Sequence, residues 1–128
     1  MRFPEITLRE AQVLQQQWEQ SILPETTVRD RLGRYKEEAD ELLAHLTPEL
    51  EAKLGDKTYR EQIGGEVADT IIIALSIVEN LGLDVQTIFT NKLDRNYRKY
   101  NPVENKRLRA EGLGQDEAMA LQKQRWNR

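Results

Sequence analysis

The chain has 128 residues, no cysteine and a single histidine. That length makes one compact domain with a real core. The residue counts exclude a disulfide framework, a thiolate metal site, a Cys nucleophile and a multi-His metal centre. Apolar residues make up 38% and charged residues 32%, the balance of an amphipathic helical protein or a helical oligomer, and the formal net charge is −3.

In chain order, the stretch from Met1 to Gln12 has two arginines and no apolar core, so it does not read as a signal peptide. Thr7-Leu-Arg-Glu10 fits a capping box and predicts a helix to about Ser21, ahead of Pro24. Thr26/Thr27, with Asp30 three residues after Thr27, predicts a second helix to about Leu46, stopping before Pro48. Pro48–Leu54 has room for one or two turns before Gly55. A long helix is expected from Lys57 to Leu81, with Gly82 as its stop. Within it, Thr70–Val78 is β-branched enough for a strand, but its uninterrupted flanks favour helix. A helix apolar on most sides belongs in a bundle centre or at a dimer interface. Its longest apolar run is far short of the ~20 residues that span a bilayer. Asp84 caps a further helix to about Tyr100, ended by Pro102. Residues 103–128 read as a polar tail, extended or loosely ordered, with room for a short helix at 116–126. The expected division is therefore a folded domain at 1–102 and a tail at 103–128.

Acidic residues recur at helical spacing. At about 100° per residue, with Glu38 at the origin, Glu41 falls at about −60°, Glu37 at about −100° and His45 at about −20°. Leu32, Tyr35, Ala39, Leu42, Leu43 and Leu46 form the apolar stripe beside them. Glu66 and Asp69 lie one turn apart at the head of an otherwise apolar face that runs on to Ile73 and Ile77. Crowded carboxylates bordering a core call for a cation. The alternatives are solvated surface acids, a di-iron carboxylate bundle, and an all-oxygen site for Mg²⁺ or Mn²⁺. The di-iron site needs two Glu-x-x-His motifs and is excluded by the single histidine. Hard divalent ions take carboxylates, water and phosphate oxygens.

Glu37-Glu38-x-x-Glu41, then 24 residues, then Glu66-x-x-Asp69 resembles the signature of the MazG-like all-α nucleoside triphosphate pyrophosphohydrolases. Dimeric dUTPases, dCTP pyrophosphatases and phosphoribosyl-ATP pyrophosphohydrolases belong to the same superfamily. Lys92, Asn96, Lys99 and Tyr100 resemble the family's K-x-x-x-N-x-x-K-Y element, with Asn101 standing between Tyr100 and Pro102. The resemblance implies an all-α, MazG-like four-helix bundle assembled as a dimer or tetramer, with sites built between subunits. It implies that Glu38, Glu41, Glu66 and Asp69 ligate two or three Mg²⁺ (or Mn²⁺), and that Glu37 is the general base or a bridge to the metal. Lys92, Arg95, Asn96, Lys99 and Tyr100 would hold phosphates and sugar. The reaction implied is cleavage of a (deoxy)nucleoside triphosphate to the monophosphate and pyrophosphate.

Charge layout bears on the partner. Residues 1–91 carry a net of −8 and residues 92–109 a net of +5. Nucleic-acid binders of this size are usually basic overall, and this chain is acidic, with a pI near 5.3, so a triphosphate is the better anion and no nucleic acid is expected. Lys106, Arg107 and Arg109, beyond Tyr100, have no assigned role. Trp18 is the candidate for base stacking, against a core or interface role. His45 reads as a hydrogen-bond partner near the acids or a surface group rather than a ligand. Tyr35 reads as core, and Trp126 as an anchor for the tail. The expected location is the cytoplasm, or the host's for a viral chain. Two other functions fit the residues: a phosphoribosyl-ATP pyrophosphohydrolase and a non-catalytic helical interaction module. Base and sugar preference is not legible.

Overall fold

Thr7 and Thr27 each open a helix as the capping-box pattern requires. In the computed structural model, which describes residues 5–127, the Thr7 hydroxyl accepts from the Glu10 amide and the Glu10 carboxylate accepts from the Thr7 amide. Thr27 and Asp30 repeat the exchange. Arg2, part of the charged start, and Arg128, the last residue of the tail, lie outside the described residues. The described chain is all-α: α1 (Leu8–Ile22), α2 (Val28–Leu43), α3 (Leu50–Lys53), α4 (Lys57–Asn80), α5 (Val85–Lys99), α6 (Pro102–Ala110) and α7 (Gln115–Trp126). The β-branched run 70–78 is helical, inside α4. Among the described residues no single helix is long and apolar enough to cross a membrane.

The chain divides into two units, one ending at Val85 and one beginning at Gln86. In the first, α1 and α2 both pack on α4. The three helices meet at a buried polar knot that local periodicity does not reveal. Glu19 of α1 is 3% exposed and Arg31 of α2 is 6% exposed. Arg31 Nη2 lies 3.1 Å from Glu19 Oε2, and Arg31 Nε donates to Ser76 Oγ of α4 at 2.7 Å. Ser76 Oγ donates in turn to Glu19 Oε2 at 2.6 Å. Gln12, fully buried on α1, ties the far end: its amide donates to the Leu83 carbonyl and accepts from the Val85 amide. Ile73 and Leu75 are the buried apolar residues of α4.

The face that α2 turns to α4 differs from the sequence expectation. Arg31, Arg34, Glu38, Leu42 and His45 recur every three or four residues, and all five are buried or half-buried. Of the expected apolar stripe, Ala39 and Leu42 are half-buried and the other four are open. Leu32 is 53% exposed, Tyr35 40%, Leu43 57% and Leu46 73%. Tyr35 is thus not a core residue of this chain. The reason is chemical: Arg31 finds Glu19 and Ser76, and His45 finds Tyr59 and Glu66, so these two polar side chains are buried or half-buried with partners.

The second unit corrects the expectation of a loose tail. Residues 103–128 include two helices, and the short helix anticipated at 116–126 is α7. Asn101 is the N-cap of α6, its Oδ1 accepting from the Val103 and Glu104 amides, with Pro102 at the first helical position. Pro102 therefore ends one helix and begins the next. Gly112 adopts φ +106 and Gly82 φ +70, and each closes a helix with the paired carbonyl contacts that only a left-handed residue permits. Leu108, Ala118 and Gln122 are buried between α6 and α7. Gln122 accepts from Asn105 Nδ2 and donates to the Asn101 carbonyl, and Arg125 pairs with Glu104 at 2.7 Å.

Candidate functional site

A cavity of about 480 Å³ opens between α1, α2 and α4 of the first unit. Small-molecule sites span roughly 300–1,000 Å³. Leu14, Trp18, Ile72, Ile73 and Leu75 give it an apolar lining, and Gln15, Arg34, Glu38 and Asp69 supply its polar groups. Trp18 stands 49% exposed. The candidate stacking residue and two of the candidate metal ligands thus share one concavity, with an aromatic face at one part and carboxylates at another.

The carboxylates feel one another. The Glu38 carboxyl is raised above its ordinary range, first by desolvation and then by the charges of Glu41 and Asp69 and a hydrogen bond with Glu41, with Arg34 opposing. Glu38 is therefore close to both Glu41 on its own helix and Asp69 on α4. Glu66 is engaged elsewhere: His45 Nε2 lies 2.5 Å from its Oε2, while His45 Nδ1 lies 2.8 Å from the Tyr59 hydroxyl. Glu37 is exposed, about 100° around α2 from Glu38. Among the described residues no three His, Asp or Glu side chains converge as they would around a metal ion. The donor set is all oxygen, the type a hard divalent cation takes, with the Arg34 charge near Glu38 and His45 hydrogen-bonded to Glu66. In donor type alone the residues fit Mg²⁺ or Mn²⁺.

Two groups escape a sequence reading. Arg34 reaches the cavity because its helix face, not the apolar stripe, packs inward. Gln15 does so through the knot: its amide nitrogen donates to Glu19 Oε1 at 3.2 Å, which leaves its carbonyl oxygen to accept. The i, i+4 pairing of Gln15 with Glu19 was the one available signal.

The basic element belongs to the second unit. Lys92, Arg95 and Asn96 are exposed along α5, and Lys99 and Tyr100 are half-buried, the Lys99 ammonium 5.3 Å from the centre of the Tyr100 ring. Arg98 pairs with Asp94 at 3.0 Å. Tyr100 and Arg109 line a separate concavity of about 370 Å³ with Asn105 and Met119. Trp126, expected to anchor the tail, is the last residue of α7 and is 39% exposed.

No protein-family model, curated protein or solved structure matches the chain.

Proposed function

We propose that the chain is a Mg²⁺- or Mn²⁺-dependent nucleoside triphosphate pyrophosphohydrolase, a MazG-like four-helix bundle that works as a homodimer or homotetramer. The observation that carries this is the shared cavity: Trp18, Glu38 and Asp69 line one space, with Glu41 in the field of Glu38. Glu38, Glu41, Glu66 and Asp69 would hold the ions. Bound there, the ions would neutralise phosphate charge and lower the pKa of a coordinated water. Trp18 offers a face for the base, and Arg34 a guanidinium for phosphate oxygens. Lys92, Arg95, Asn96, Lys99 and Tyr100 would bind phosphate and sugar, a role that rests on their spacing along α5 and on the family resemblance. In the reaction a water oxygen bonds to the α-phosphorus and the α–β anhydride bond breaks. The bridging oxygen leaves with pyrophosphate, and Glu37 or a neighbouring carboxylate takes the water proton.

A pyrophosphate-release screen over the common ribo- and deoxyribonucleoside triphosphates, with phosphoribosyl-ATP included and with Mg²⁺ or Mn²⁺, tests this. Release from at least one nucleoside triphosphate is expected. No release from any of them overturns it.

The open stripe on α2 supports the oligomer. Leu32, Tyr35, Leu43 and Leu46 are four large apolar side chains left in water by a single copy. Light scattering is expected to give a multiple of the 14.9 kDa chain mass, and Leu43→Lys with Leu46→Lys to reduce it to one chain. A 14.9 kDa wild-type species would rule the assembly out.

A further inference from the structure

His45 is the one imidazole in the chain, and both of its ring nitrogens are engaged. Tyr59 and Glu66 are seven residues apart on α4, two turns along one face. The His45 ring, reaching over from just beyond the end of α2, fills the gap between them. It touches Tyr59 edge to face, with ring centres 5.3 Å apart. The Lys53 ammonium lies 5.7 Å from the centre of the same Tyr59 ring. Glu66 and His45 are only 21% and 19% exposed. An ionised carboxylate only accepts, so the shared hydrogen sits on Nε2, while Nδ1 is hydrogen-bonded to the Tyr59 hydroxyl. One oxygen of Glu66 is thereby held and the other is left to act.

We propose that His45, backed by Tyr59, positions Glu66 for the divalent cation. This rests on the metal-binding reading above. A glutamate has three rotatable bonds, and Asp69 stands one turn further along the same face of α4. A donor fixed at Oε2 removes that freedom before the ion arrives. Partners of this kind, behind a ligating side chain, typically govern metal affinity by about 10- to 100-fold.

The test is Mn²⁺ binding by the full chain, read by calorimetry and by the electron paramagnetic resonance of free Mn²⁺. In His45→Gln the amide reaches where Nε2 lies and can still donate to Glu66. In His45→Asn it reaches only where Nδ1 lies. His45→Asn is expected to weaken Mn²⁺ binding by about 10- to 100-fold, and His45→Gln to keep most of the affinity. A merely structural polar residue at this helix end would be served equally by either amide. Equal affinity in the two variants, or tighter binding in His45→Asn, overturns the proposal while leaving the metal site standing. Failure of the wild-type chain to bind Mn²⁺ overturns both. If either variant loses its helical spectrum, Tyr59→Phe decides: weakened binding supports the positioning pair, and unchanged affinity refutes it.

Discussion

Glu19→Ala is expected to lower the stability of the first unit by about 3–5 kcal/mol. The loss is large because of what stays behind. Arg31, 6% exposed, would keep its hydrogen bonds to Ser76 and to the Thr26 carbonyl but lose the only carboxylate that balances its charge in the knot. A buried charge without a partner costs far more than a hydrogen bond is worth. Removing both charges separates the two contributions. Glu19→Leu with Arg31→Met is expected to recover most of the loss, since an apolar pair of similar volume is often neutral or stabilising there. Urea denaturation followed by helical circular dichroism measures each variant. A double variant as unstable as Glu19→Ala would show that the pair holds a geometry that apolar packing does not replace.

The same knot contributes to the acid limb of stability. Burial raises the Glu19 carboxyl, but hydrogen bonds from Ser76, Gln15 and Arg31, with the Arg31 charge, outweigh it and hold the group below its ordinary value of 4.5. A depressed folded value means that stability is present above the unfolded value and is lost as pH falls through the folded one. Wild-type stability is therefore expected to decline as pH drops below about 4.5, and the Glu19→Leu/Arg31→Met chain to decline less.

Residues that act on their neighbours in sequence were legible. Thr7 with Glu10, Thr27 with Asp30, and Gly82 mark helix ends because a cap is a contact across three or four residues. Asn101-Pro102 and Gly112 carry the same information for α6, but the polarity of 103–128 masks it. A hairpin whose buried centre includes Gln122 has no apolar stripe to announce it. The face of α2 was misread for a related reason. Periodicity finds apolar stripes, while the inward face here is Arg31, Arg34, Glu38 and His45, and the partners that make it buriable lie on other helices. Glu19 and Ser76 are 57 residues apart. Among the site residues, the spacing of Glu38, Glu41, Glu66 and Asp69 is visible because each helix repeats its own pattern. Arg34, Gln15 and the engagement of Glu66 by His45 depend on how α1, α2 and α4 pack.

Glu38→Gln is expected to raise the melting temperature of the ion-free chain at neutral pH while abolishing pyrophosphate release and weakening Mn²⁺ binding. Desolvation, followed by the charges of Glu41 and Asp69, raises the Glu38 carboxyl above 4.5, so the folded chain holds that proton more tightly than the unfolded chain does. The stability this brings is present below the unfolded value and is lost as pH rises through the folded one. At neutral pH an ionised Glu38 therefore opposes folding, and a neutral amide of the same shape removes the repulsion. The difference in melting temperature between variant and wild type should shrink as the pH is lowered and Glu38 takes up its proton. Added Mn²⁺ should reverse the order at neutral pH, because the wild-type carboxylates then gain a counter-ion that the amide holds poorly. Opposite shifts in stability and activity from one substitution are what distinguish an acid kept for function from one kept for folding. A Glu38→Gln chain that melts lower without metal would make Glu38 a structural residue, and one with normal turnover would remove it from the site.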